Sequence, residues 1–132
     1  MLGELQGSRA LNGNVCSWQT ASLVDTPIGP LIVDFQAGSD GPTEKQFELW
    51  NFIVGNLEKL RTETYPFLAG WLEQLDPTMA PEDLGPKMIY VWDAEGSDSE
   101  WSMVFEHPPK LWEFTVTFER ESAEHTDFDR LG

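Results

Sequence analysis

The fold is decided by residues 42–75, which read PTEKQFELWNFIVGNLEKLRTETYPFLAGWLEQL. Thr43 and Gln46 form the pattern of a capping box, in which a hydroxyl and an amide satisfy backbone groups at the start of a helix. Apolar residues then recur at spacings of three and four, which places them on one helical stripe: Phe47, Trp50, Val54, Leu57 and Leu60. We therefore predict an amphipathic helix covered by a sheet.

The helical pattern weakens after Arg61, and Pro66 cannot donate the hydrogen bond of a helix interior. We expect a break or kink near Tyr65, followed by a second and shorter helix with Pro66 in its first turn. The residues expected inward on this helix are Phe67, Leu68, Trp71, Leu72 and Leu75.

Segments on both sides of the helical region alternate apolar and polar residues, as strands with one buried face do. Before the helices the alternation covers residues 31–36. After them residues 87–93 are almost continuously apolar, which is typical of a strand that is buried on both faces or lies near the centre of a sheet. Residues 100–107 and 111–119 alternate most clearly. The side chains expected inward are Leu31, Val33, Phe35, Trp101, Met103, Phe105, Trp112, Phe114, Val116 and Phe118.

The two ends of the chain give weaker signals. A poor strand is expected over residues 5–11 and a better one over residues 15–25, with Asn12-Gly13 as a hairpin turn between them. The second strand is expected to switch faces or bulge partway, because its alternation is broken. Residues 121–132 are polar and acidic apart from Phe128, and they are expected to form a surface tail.

Strands come first, then two helices, then three further strands, and this segregation predicts an α+β fold. We expect a mostly antiparallel sheet of about five strands, with one long and one shorter helix packed on one face. There is no internal repeat and no second core, so residues 1–132 are interpreted as a single domain. Its ends, residues 1–14 and 121–132, are expected to be flexible.

The charge of the chain restricts its partners. The 132 residues contain 23 acids and 8 bases, which gives a formal net charge of -15. Binding to nucleic acid or to an anionic membrane depends on Lys and Arg displacing counterions, so both are disfavoured. A basic protein fits such a surface and would be attracted to it by electrostatic steering. Solubility alone is the other explanation of the acidity.

Cellular location is read from cysteine usage and from the first residues. Cys16 is the only cysteine, so no internal disulfide is possible. Residues 1–6 lack the basic start and apolar core of a signal peptide, and no apolar run approaches the length that crosses a bilayer. We therefore expect a cytoplasmic protein.

The candidate binding residues lie between two predicted strands, in the acidic segment of residues 93–100. Its carboxylates are Asp93, Glu95, Asp98 and Glu100, and they are the residues expected to meet a basic partner. A Ca²⁺ site is the alternative, but the spacing does not match an EF-hand loop. Asp, Gly and Ser are also ordinary residues of a hairpin tip. No metal or cofactor is predicted.

Catalytic alternatives have less support. Paired carboxylates would suit a small hydrolase, although the sequence does not show which acids face each other. Cys16 with His107 or His125 would form a nucleophile and base, but no local signature surrounds the cysteine. The two histidines give no zinc pattern. A non-catalytic binding module is therefore favoured over an enzyme, and a self-associating structural subunit remains a third class.

The chain contains six tryptophans, and aromatic residues rimmed by acids also occur at binding surfaces. Most of the six are in phase with the predicted core faces. Trp18 and Trp71 are the two expected to depart from the core.

Three short strings carry a resemblance to a known class of proteins: Thr26-Pro27-Ile28-Gly29-Pro30-Leu31, Pro42-Thr43-Glu44 and Val91-Trp92-Asp93-Ala94-Glu95-Gly96. With them the chain resembles small acidic bacterial proteins, some of which act as immunity proteins in polymorphic toxin systems. The resemblance implies that the acidity engages a basic toxin, often a nuclease, by occupying the surface meant for phosphate. It transfers no functional residue.

Overall fold

The structure is a computed structural model that describes residues 2–7, 16–92 and 99–131. In this part of the chain it contains two helices and eight strands. They are β1 (Leu5–Gly7), β2 (Cys16–Thr20), β3 (Val24–Thr26), β4 (Gly29–Ala37), α1 (Glu44–Gly55), α2 (Leu57–Leu75), β5 (Gly85–Val91), β6 (Glu100–His107), β7 (Trp112–Glu119) and β8 (Ser122–Arg130). The predicted turn at Asn12-Gly13 lies outside the described residues.

The strands form one mixed sheet in the order β1-β2-β4-β5-β6-β7-β8, with β3 paired to β4. The α+β class is confirmed, but the sheet is larger than the expected five strands. It also contains a parallel pair, β4 and β5, in which Val33 is opposite Ile89. Parallel strands need a long crossover connection, and here α1 and α2 supply it.

The predicted start of the first helix is confirmed. Thr43 Oγ1 accepts from the backbone N–H of Gln46 at 3.2 Å, and Gln46 Oε1 accepts from the backbone N–H of Thr43 at 2.9 Å. The buried stripe of α1 is rotated slightly from the expected one: Phe47 and Val54 are only half-buried, and the fully buried residues are Gln46, Leu49, Trp50 and Ile53.

Of the break or kink predicted near Tyr65, the break is wrong, because α2 continues through Pro66. The chain is interrupted earlier, at Asn56, whose backbone N–H donates to the carbonyl of Ile53 at 3.1 Å. Pro66 has no N–H, so a backbone carbonyl of the preceding turn lacks its helical donor. Because Pro66 is exposed, water can hydrogen-bond to this carbonyl. Among the described residues, no helix is both long and apolar enough to cross a lipid bilayer.

One face of the sheet, the helix face, packs against both helices and forms the core. The predicted inward residues of β4, β6 and β7 are all buried there, which confirms their alternation. The rings of Phe35 and Phe47 lie 5.3 Å apart and join β4 to α1. We call the opposite side of the sheet the open face, since neither helix covers it.

The expected surface tail at residues 121–132 is also wrong. Residues 122–130 form β8, which pairs antiparallel with β7 along its whole length, from Glu119 opposite Ser122 to Trp112 opposite Arg130. An edge strand buries little surface, so its sequence stays polar. Phe128 anchors it, with its ring 5.3 Å from that of Trp71 on α2.

Candidate functional site

The open face carries polar and aromatic side chains because successive residues of a strand point to opposite sides. The residues that lie between the core positions therefore project here. Those near the centre of the sheet include Asp34 on β4, Tyr90 on β5, Ser102 on β6 and Thr117 on β7, which occupy neighbouring register positions.

Asp34 is only 2% exposed, and its carboxylate is held by neutral donors. Oδ2 accepts from the Ser17 hydroxyl at 2.7 Å and from the Gln19 amide at 2.9 Å. Oδ1 accepts from the Gln36 amide at 2.8 Å. A buried carboxylate is costly unless it is hydrogen-bonded, so this network fixes β2 against β4.

Tyr90 and Trp92 form the aromatic part of the open face. Their rings are stacked, with centroids 5.3 Å apart and an interplanar angle of 18°. Trp92 Nε1 donates to Ser102 Oγ at 2.9 Å, and Ser102 Oγ lies 3.0 Å from Thr117 Oγ1. The indole is thereby held over β6. Burial raises the pKa of the Tyr90 phenol, and the charges of Asp34 and Glu113 raise it further.

A shallow concavity of about 670 Å³ lies beside these rings, over β7 and β8. Thr115 and Thr117 contribute to its lining, and three carboxylates border it: Glu113, Asp127 and Asp129. Among the described residues that line it, none is basic. The concavity therefore combines aromatic surface with negative charge.

Lys87 is the base that reaches this group of carboxylates. Its Nζ lies 2.5 Å from Glu113 Oε2 and 3.7 Å from Glu106 Oε2. The hydrogen bond to Glu113 raises the pKa of Lys87 above its ordinary value. Lys87 therefore compensates the charge of Glu113, whereas Asp127 and Asp129 are exposed on β8.

Of the four predicted binding residues, the structure describes Glu100. Asp93, Glu95 and Asp98 lie outside the described residues, so their prediction stays untested. Glu100 is exposed at the first position of β6, and its Cα partner in β7 is Glu119. Within residues 2–7, 16–92 and 99–131, no group of three or more His, Cys, Asp or Glu side chains is arranged to hold a metal ion.

Cys16 is not placed next to either histidine. It lies on β2, three strand positions from His107 on β6 and five from His125 on β8. At about 4.8 Å per position, these separations are roughly 14 Å and 24 Å. The predicted alternative of a cysteine nucleophile with a histidine base is therefore wrong.

The tryptophans are divided between the core and the surface. Trp50, Trp101 and Trp112 are buried. Trp18 and Trp71, the two expected to depart from the core, are half-buried and still pack against it. Sequence reasoning missed the place of Trp92 on the open face, where it is half-buried, and the role of Asp34. The apolar run of residues 87–93 was the signal for these aromatic residues, because it places large side chains on both faces of β5.

No protein-family model, no curated protein and no solved structure gives a significant match to this chain.

Proposed function

We propose that this protein is a non-catalytic binding module that recognises a basic protein through its open face. The supporting observation is the concavity in which Tyr90 and Trp92 lie beside Glu113, Asp127 and Asp129, without a basic residue in its described lining. Such a surface offers a cationic side chain both an aromatic ring and a carboxylate.

The charge of the whole chain supports the same partner. A net charge of -15 attracts a basic protein over roughly a Debye length, about 8 Å at physiological ionic strength, and raises the association rate at low salt. Exposed carboxylates act mainly on this rate, because water and salt screen them once the complex has formed. The aromatic pair then supplies the contact area that charge alone lacks.

A toxin-neutralising role is the specific form of this proposal. The resemblance to acidic immunity proteins supports it, because a nuclease carries a basic surface for phosphate. An acidic open face placed on that surface would block nucleic acid without any chemistry by the immunity protein. The concavity would hold the partner's Lys and Arg side chains.

Catalysis by the same carboxylates has less support. A general acid is normally shielded from water so that its proton affinity can rise. Asp127 and Asp129 are exposed, and Glu113 is paired with Lys87. The arrangement therefore fits attraction of a cation better than proton transfer.

The proposal is tested with an eight-residue Arg/Lys peptide, whose binding is followed by tryptophan fluorescence at increasing salt. The double variant Asp127→Lys and Asp129→Lys should weaken binding by about tenfold or more, corresponding to about 1.4 kcal/mol. Glu44→Lys with Glu48→Lys is the matched control, since it changes the net charge equally on an exposed side of α1. Equal losses in the two double variants would show that only overall charge matters and would overturn the proposed site.

A further inference from the structure

The outer edge of β8 is a free edge of the described part of the sheet. Among the described residues, β8 ends the sheet, and no strand pairs with its far side. An edge strand presents backbone N–H and C=O groups that can pair with another chain. Here the edge covers the nine residues Ser122–Arg130.

A groove runs between this edge and α2. It consists of two adjoining depressions of about 480 and 440 Å³ that share Pro66 and Phe67. Its strand side follows residues 121–126, a length of about 20 Å at roughly 3.3 Å per residue. Its helix side includes one stripe of α2, with residues at spacings of three and four: Leu60, Glu63, Phe67, Trp71 and Gln74. Phe52 of α1 and the basic residue Lys59 line the same side.

The groove has the shape of an unfilled strand position. α2 packs against the helix face of β8, where the rings of Trp71 and Phe128 meet, and Phe67 and Trp71 are only half-buried. A strand added beside β8 would lie next to this stripe of α2. Every second side chain of that strand would contact Phe67 and Trp71.

We infer that the edge of β8 and this groove bind an extended segment of the basic partner, which adds to the sheet as a further strand. The inference rests on the proposed function for the sign of the partner's charge. Side chains of the added strand that face the open side would lie beside Asp127 and Asp129. The segment should therefore alternate apolar and basic residues.

Charge on the strand disfavours a second copy as the occupant. β8 carries Glu124, Asp127 and Asp129 against one arginine, Arg130. Pairing two such strands would bring like charges together, which is destabilising. A strand that carries Lys or Arg would instead place opposite charges beside the carboxylates of β8.

Gly70 allows the groove to be blocked without changing the core. It lines the groove, it is exposed, and a Cβ placed on it would find no heavy atom within 4 Å. Gly70→Gln therefore extends a polar side chain into the groove. Gly55→Gln is the matched control, because Gly55 is equally open and exposed but lines a different depression.

The probe is a capped nine-residue peptide of alternating Lys and Val. The control peptide has the same composition, with Lys and Val in separate blocks. We expect the alternating peptide to bind about tenfold more tightly or better, a difference of about 1.4 kcal/mol. It should protect β8 amides from hydrogen exchange, and Gly70→Gln should weaken it about tenfold while Gly55→Gln leaves it unchanged.

The other outcomes separate this inference from the proposed function. In one outcome both peptides bind equally, Gly70→Gln has no effect on their binding, and the Asp127→Lys and Asp129→Lys pair abolishes it. This outcome would overturn strand addition and keep the open-face site. Failure of both peptides to bind at low salt would overturn both proposals. Sedimentation of the chain alone measures whether it dimerises. Dimerisation that Gly70→Gln abolishes would show that a second copy occupies the groove and would overturn the inference.

Discussion

The side-chain amide of Gln46 donates a hydrogen bond of 3.0 Å to the backbone carbonyl of Trp92, 46 residues further along the chain. The same nitrogen donates to the carbonyl of Gln36 at 2.9 Å. Gln46 is 3% exposed, so these bonds are shielded from water. One side chain thus caps α1 and joins it to the ends of the two parallel strands, β4 and β5.

Replacement of this amide tests whether the tertiary bonds matter more than the cap. Gln46→Glu keeps an acceptor for the N–H of Thr43, but its carboxylate would face the carbonyls of Gln36 and Trp92. Because buried acceptors would then oppose each other, we expect a loss of about 2–4 kcal/mol in unfolding free energy at neutral pH. Urea unfolding measures it. A change below about 0.5 kcal/mol would mean that only the cap counts.

Pro66 offers a test of the continuous helix. Pro66→Ala restores the N–H that the interior of α2 lacks and removes the clash of the proline ring with the preceding turn. The site is exposed, so little packing is lost. We expect an increase of about 1–3 kcal/mol in unfolding free energy, read from the midpoint of urea unfolding. Decreased stability would contradict a regular helix through this position.

Asp76, which follows α2, gives a pH-dependent prediction. Hydrogen bonds from Thr78, and then the interaction with Lys110, lower the pKa of Asp76 from 3.8 to about 2. A lowered pKa stabilises the folded protein above the unfolded value, and this contribution is lost as pH falls through about 4 to 2. Asp76→Asn keeps an acceptor for Thr78 but not the charge.

The stability difference between the original protein and Asp76→Asn should therefore favour the original protein at about pH 6 and shrink at about pH 2.5. Urea midpoints at both values measure it, and subtraction of the two proteins cancels the other carboxylates. A difference that stays constant with pH would contradict the ion-paired state of Asp76.

Tyr90 reports the electrostatics of the open face. Asp34→Asn removes the nearby charge that contributes to the raised pKa of Tyr90, so this pKa should fall. It should stay above 10.0, because burial is the largest cause of the shift. The measurement is an NMR titration of the labelled tyrosine ring. Glu48→Gln on exposed α1 is the control and should leave the pKa of Tyr90 unchanged.

The candidate site could be predicted from the sequence only in part. Tyr90 and Trp92 were visible as part of an apolar run, but the run did not reveal that their phase faces the side without helices. Asp34 looked like an ordinary polar residue of a half-buried strand. Its three donors come from two strands, and strand pairing cannot be read from either strand alone.

The sequence by itself determined the local elements: the capping box at Thr43 and Gln46, the amphipathic helical region, and the alternation in β4, β6 and β7. Each depends on spacings within a few residues, which local backbone geometry fixes. Tertiary structure alone decided the parallel pairing of β4 and β5, the passage of α2 through Pro66, and the recruitment of the polar residues 122–130 as β8. These features depend on partners distant in sequence, whose packing outweighs weak local preferences.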